Sequence, residues 1–333
     1  MSPGEAYARA GVSQQAADAA VEALAESLGR IEPGRPSRQE LGIGHYASVI
    51  RLDERTGIAL STDGVGTKLL VAEQLARWDT VGIDCVAMNV NDVVCVGAEP
   101  LAMLDYVAVP QAEPGVMREL GRGLRRGAEL AGIEIPGGEL AQLREIVRGL
   151  DLVGAGFGIV ELDAIVSGAS VEPGDPVLGL PSSGLHANGY TLARRALRDI
   201  PTDDERLGAP IGEVLLEPTE IYVPAVLELL RSGAEVRGLA HITSGGLANL
   251  LRLEAGAGYE IDDPLPVPPI FDLIQECGRV SDEEMHEVFN MGCGFCCVVA
   301  VEDEQAALEV LRSRYPVARR IGRATAESGV RRR

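Results

Sequence analysis

Between Thr80 and Val96 the chain is mostly Val, Cys, Ala and Met at helical spacing, yet Asp84, Asn91 and Asp92 interrupt it at i, i+7 and i+8. At about 100° per residue the three polar groups share one face. Carboxylates and an amide in such apolar company are costly unless paired, hydrogen-bonded or bound to a hard cation. Asp63, in the loop ahead of the preceding helical pattern, supplies a partner. Mg²⁺ typically takes one or two carboxylates, phosphate oxygens and water, so Asp63 and Asp92 would suffice for it. Helix capping with a buried salt bridge to Arg explains the spacing equally well.

Around this segment the patterns alternate. Ala16, Ala20, Leu24 and Leu28 form one stripe of a helix over 14–28. Strand character at 58–62, 101–109 and 152–161 alternates with helical periodicity at 67–78, 80–96 and 115–131, and residues 63–66 read as a turn. A turn-rich stretch follows at 163–175. Beyond it come strand-like runs at 176–181 and 293–301 and helical patterns at 187–198, 219–232 and 303–314. This predicts an α/β chain of α+β layered type. With 333 residues, two cores are expected, in domains 1–168 and 169–333. Pro264–Pro269 is a stiff connector. The apolar runs fall short of the roughly 18 to 20 residues a membrane span requires, and the first thirty residues carry acids, so neither a span nor a secretory signal is expected.

Asp and Glu outnumber Lys and Arg by 50 to 30, a net charge of −20. That balance disfavours nucleic acid and anionic membranes as partners, and an anionic metabolite would need a local cradle. Of the 30 basic residues only Lys68 is lysine. It closes Ser61-Thr62-Asp63-Gly64-Val65-Gly66-Thr67-Lys68, which offers glycines, a helix start, hydroxyls and an ammonium to a phosphate. The Walker spacing is absent. A hairpin or capped helix would explain the Asp-Gly turn as well, but a lone lysine among arginines suggests a compact ammonium that a planar guanidinium cannot replace. The six cysteines, Cys85, Cys95, Cys277, Cys293, Cys296 and Cys297, lack regular spacing and predict reduced core residues of a cytoplasmic protein. Cys293 to Cys296 spells C-x-x-C, but a buried strand fits the run better than a redox pair.

Three further loops carry polar groups. Ile135-Pro-Gly-Gly-Glu139 reads as a turn that would let backbone approach a ligand. Pro181 to Gly189, with His186 and Asn188, ends a strand and opens a helix, and His241-Ile-Thr243-Ser244-Gly245-Gly246 repeats that logic. His186 read alone is equally a cap. Gly42 to Ala47 fits G-x-G-x-x-A but precedes a strand, which argues against a dinucleotide site. His45 and His286 receive no role.

Taken together, these motifs resemble aminoimidazole ribonucleotide synthetase, the phosphoribosylformylglycinamidine cyclo-ligase of purine synthesis, in its archaeal-type branch. The resemblance runs from Tyr7–Val12 through Asp63–Lys68, Asp79–Asp84, Ala87–Asp92, Gly97–Pro100 and the His186 and His241 loops to Pro269–Gln275 and Glu284–Gly292. It implies two α/β domains, a homodimer formed through the N-terminal sheets, and active sites near the subunit interface. The implied ligase reaction is ATP-dependent closure of formylglycinamidine ribonucleotide to aminoimidazole ribonucleotide, releasing ADP and phosphate. Phosphorylation turns the formyl oxygen into a leaving group, and the ribose-bearing nitrogen attacks the formyl carbon. By the same resemblance Asp63 and Asp92 hold Mg²⁺, while Lys68, Gly64, Gly66 and Thr67 meet ATP phosphates. Asn91 and Glu139 line the site, and His186, Asn188, Thr243, Ser244 and Gly245 face the substrate. Asp63, Lys68, Asp92 and His186 are the implied catalytic set. Leu140 stands where the family usually has Thr, and Ser244 where it has Gly. Rival readings are a selenophosphate synthetase, a thiamine-phosphate kinase, or a catalytically silent nucleotide-binding paralogue.

Overall fold

The computed structural model describes residues 14–29, 31 and 33–333; the Tyr7–Val12 motif lies outside them. A helix spans Gln14–Leu28. The first sheet contains β1 (Gln39–Leu41), β2 (Ser48–Arg51), β3 (Thr56–Gly64), β4 (Glu99–Val109), β5 (Glu134–Gln142) and β6 (Asp151–Glu161), in the order β1-β2-β3-β6-β4-β5. The second contains β7 (Pro176–Pro181), β8 (Val236–His241), β9 (Gly258–Ile261), β10 (Cys293–Val299), β11 (Arg319–Thr325) and β12 (Val330–Arg332), in the order β12-β9-β11-β7-β10-β8. Neighbours are antiparallel except for β4 with β5 and β9 with β12, so the layering is of the α+β kind. Among the described residues no helix is long and apolar enough to cross a membrane.

The apolar segment forms the helix Asp79–Val94, and between Thr80 and Val94 only Ile83 and Asp92 escape full burial. One side lies on the first sheet. There Gly154, Gly156 and Gly158 recur every second residue of β6, and a Cβ on Gly156 or Gly158 would come within 3.2 Å or 2.5 Å of Val93. Period-2 glycines on one face of a strand thus let the helix approach closely. The helix Pro114–Ala131 packs beside it. One continuous apolar cluster joins this layer to the second sheet and its helices.

Three expectations change. Asp63 and Gly64, expected in a turn, are the last two residues of β3, whose pairing with β6 runs to the end of the strand. Ile135–Glu139 is not a turn: it lies within β5, an edge strand paired only with β4. An edge position tolerates Pro136 because its missing N–H faces no neighbour. The cysteines are all free, but Cys277 is exposed. Cys293 and Cys296 lie in β10 with Sγ atoms 3.6 Å apart, packed in the core as the strand reading expected.

Candidate active site

β3 carries Asp63 toward the central helix. Register pairs Asp63 with Gly154, whose missing side chain faces that helix. Asn89 fixes the local backbone: its Oδ1 accepts from Asp63 N at 3.0 Å, and its Nδ2 donates to Asp63 O at 3.1 Å. One helical turn further, Asp92 Oδ1 lies 2.9 Å from His241 Nδ1, where β8 of the second sheet ends. Burial, reinforced by the negative charge of Asp92, pushes the Asp63 carboxyl up to about 6. Asp63 on β3 is tied to the central helix through Asn89, and Asp92 on that helix touches His241 at the end of β8.

The sign of that shift gives a prediction. The folded value lies above the ordinary 3.8, so the fold favours protonated Asp63. This stabilisation is complete below the unfolded value and is lost as pH rises through about 6. In chelator, wild-type urea midpoints should fall relative to those of Asp63→Asn between about pH 4 and pH 7. Parallel profiles would show that Asp63 is not the titrating group.

Lys68 departs from expectation. It lies in the 3₁₀ turn Gly66–Lys68, is 0% exposed, and spends its ammonium on Asp84 Oδ1 at 2.9 Å, His186 O at 3.0 Å and Glu217 O at 2.6 Å. An ammonium has three N–H donors, so none is left for a phosphate. Asp84 Oδ1 also accepts from Thr219 N at 2.7 Å and Thr219 Oγ1 at 2.6 Å. The ion pair lies within the first half, and its further bonds to His186, Glu217 and Thr219 pin the second half to it.

Asn91 is likewise committed: Nδ2 donates to Glu220 O at 2.8 Å and Oδ1 accepts from Tyr222 N at 2.9 Å, which leaves it no nucleotide-facing role. His186 is 1% exposed with φ at 61°. Its Nε2 accepts from Ser183 N at 3.3 Å, closing the loop as a cap does, and burial holds the ring well below its ordinary pKa. Its Nδ1 is buried without a hydrogen bond among the described residues, so the ring braces the loop through Nε2.

Residues 44–160 match the family described as AIR synthase related protein, N-terminal domain, and residues 172–333 match its C-terminal domain. A phosphoribosylformylglycinamidine cyclo-ligase of Methanothermobacter thermautotrophicus is 51% identical over 283 residues, covering 83% of each chain. One of Thermococcus gammatolerans is 46% identical over 331 residues, 98% of this chain and 97% of that protein. The chain belongs to the AIR synthase family. The AIR synthase fold extends to AaThiL complexed with AMPPCP and TMP, at TM-score 0.69 and 17% identity over 94% of this chain and 92% of that one. It extends also to hydrogenase maturation protein HypE in complex with ATP, at TM-score 0.59 and 20% identity over 84% and 81%.

Other residues that the AIR synthase resemblance implied are distributed unevenly. Gly66 adopts φ of 67°, with open space where a Cβ would stand, and Gly64 follows Asp63 in β3. Thr67 Oγ1 meets Thr191 Oγ1 at 3.1 Å. Ser244 Oγ donates to Asn188 Oδ1 at 3.2 Å, bringing the two second-half loops together, and Thr243 O accepts from Gly246 N at 3.1 Å beside Gly245. Glu139 does not join Asp63. Register sets it beside Tyr106 on the opposite face of the sheet. Sequence reasoning missed Asn89, Thr219 and Tyr222. Asn89 alone had a visible signal, as another amide in the apolar helix; the others act through contacts between distant segments.

Proposed function

We propose that the chain closes the imidazole ring of formylglycinamidine ribonucleotide at the expense of ATP, yielding aminoimidazole ribonucleotide, ADP and phosphate. The observation that carries this reading is identity of 46% to a named cyclo-ligase over nearly the full length of both proteins. The reaction divides labour between residues 1–168, for ATP and Mg²⁺, and residues 169–333, for the substrate. Phosphoryl transfer rests on positioning and charge neutralisation more than on covalent chemistry. In this reading Gly64 and Gly66 let phosphates approach the backbone, and Asn188, Thr243, Ser244 and Gly245 present polar groups to the ribonucleotide. The test is a coupled assay: ADP release that depends on formylglycinamidine ribonucleotide supports the reading, and nucleotide binding without turnover counts against it.

The donor set fits Mg²⁺. Among the described residues no three His, Cys, Asp or Glu side chains converge, which rules against an all-protein cage, but Mg²⁺ does not need one. Two repelling carboxylates, one of them driven up to about 6, are relieved by a hard divalent cation, so Asp63 and Asp92 would hold it. When bound it supplies positive charge to the transferring phosphoryl group. His241 orients Asp92 through the 2.9 Å contact.

A homodimer through the first sheet belongs to the same reading. On its outer face Ile50, Leu104, Tyr106 and Ile159 are 38–42% exposed, and register aligns Ile58 with Ile159 and Leu60 with Phe157. Exposed contiguous apolar surface of this kind marks an interaction site. Glu139 shares that face, so a contribution from it to catalysis would come at the interface. Leu104→Asp with Tyr106→Asp should halve the mass seen by light scattering, and a double variant that keeps the wild-type mass would remove the sheet from the assignment. Free cysteines fit the reducing cytoplasm.

A further inference from the structure

With Lys68 enclosed, a phosphorylated ligand beside Asp63 and Asp92 needs its positive charge from elsewhere. Arg252 ends the 3₁₀ turn Gly246–Arg252, which starts in the Thr243–Gly246 loop. Its guanidinium carbon sits 4.3 Å from the centroid of the Tyr46 ring, its Nη2 donates to His45 O at 2.8 Å, and its Nε reaches Gly44 O at 3.4 Å. The platform is itself anchored. Tyr46 is buried and its hydroxyl donates to Asn249 O at 2.8 Å, while Asn249 Nδ2 donates to Ser244 O at 2.9 Å and Gly246 O at 2.8 Å.

Arg252 remains exposed. Among the described residues it has no ion pair, and its Nη1 has no hydrogen bond. The turn that ends in Arg252 follows the loop led by His241, whose Nδ1 lies 2.9 Å from Asp92 Oδ1, which sets Arg252 on the carboxylate side of the junction. Stacking and two backbone carbonyls hold the fork still, so little rotamer freedom remains to be lost when a ligand docks. The geometry points to Arg252 as a phosphate-binding residue whose open edge takes oxygens of a phosphorylated ligand. The shared chemistry is a phosphate, either of the ATP tail or of the ribonucleotide. Gly42–Ala47, unsuited to a dinucleotide, gains a purpose as the seat that positions this arginine.

The two ligands named rest on the cyclo-ligase reading, and the test does not use turnover. The full chain is titrated calorimetrically with AMPPCP plus Mg²⁺, and separately with formylglycinamidine ribonucleotide. Arg252→Met should weaken at least one of them by about tenfold or more through loss of a charge-assisted contact. Weakened AMPPCP assigns the ATP tail, and weakened ribonucleotide the monophosphate. Tyr46→Leu, which removes the platform and keeps the charge, should weaken the same ligand by a smaller factor. Should Arg252→Met fail to fold, Arg252→Gln takes its place with the same outcomes. Affinities for both ligands within about twofold of wild type overturn the assignment. A wild-type chain that binds both ligands without turnover would sink the cyclo-ligase reading and leave Arg252 standing; one that binds neither overturns both.

Discussion

Lys68→Met is expected to cost the fold about 3–5 kcal/mol, the usual penalty for removing one partner of a buried ion pair. Lys68 and Asp84 side chains are both 0% exposed, and their oxygen and nitrogen atoms meet at 2.9 Å. Without the ammonium, Asp84 is left as a buried carboxylate with only Thr219 to satisfy it, and the carbonyls of His186 and Glu217 lose their donor. All of these groups join one half of the chain to the other, so the loss should fall on the packing between them. Lys68→Arg should also destabilise, because a planar fork does not fit a site built around three donors from one nitrogen. Urea unfolding of both variants against wild type reads the effect. A Met variant within about 1 kcal/mol of wild type would mean that the pin is dispensable.

Asp92→Asn is expected to lower turnover at least about tenfold with a much smaller loss of stability. The substitution is isosteric and Asp92 keeps 13% of its side chain exposed, so packing changes little. What is lost is a charge opposite Asp63 and the charge assistance in the contact with His241, since the amide oxygen of Asn can still accept there. Turnover measured across Mg²⁺ concentrations separates the causes: a higher Mg²⁺ requirement assigns Asp92 to the metal, and wild-type-like Mg²⁺ dependence removes it from that role.

Much of the first half was readable because the signals are local. The strand at 152–161, the helix over 115–131 and the apolar helix with its polar face all emerged near their predicted bounds. β5 did not, since Pro136, Gly137 and Gly138 carry turn chemistry that an edge strand paired to one neighbour can still absorb. Among the candidate site residues, Asp63 lies on β3 beside the central helix that carries Asp92. Lys68, Asn91 and His186 were recognised as unusual, but the same signals, a lone lysine and polar groups in apolar segments, describe a buried network as well as a ligand site. The facing of Glu139 was not readable, because it depends on pairing between β4 and β5, which no local pattern reveals.

The order of side chains along the chain thus sufficed for the family, the reaction class, the α+β layering and the presence of a polar seam on a buried helix, since helical period and motif spacing are short-range properties. Which polar groups stay open to a ligand and which are consumed was settled only in three dimensions. Lys68 meets its partners at residues 186 and 217, and Arg252 finds its seat at residues 44–46. A donor's availability depends on everything within hydrogen-bond reach of it, and in a folded chain most of that comes from segments far away in sequence.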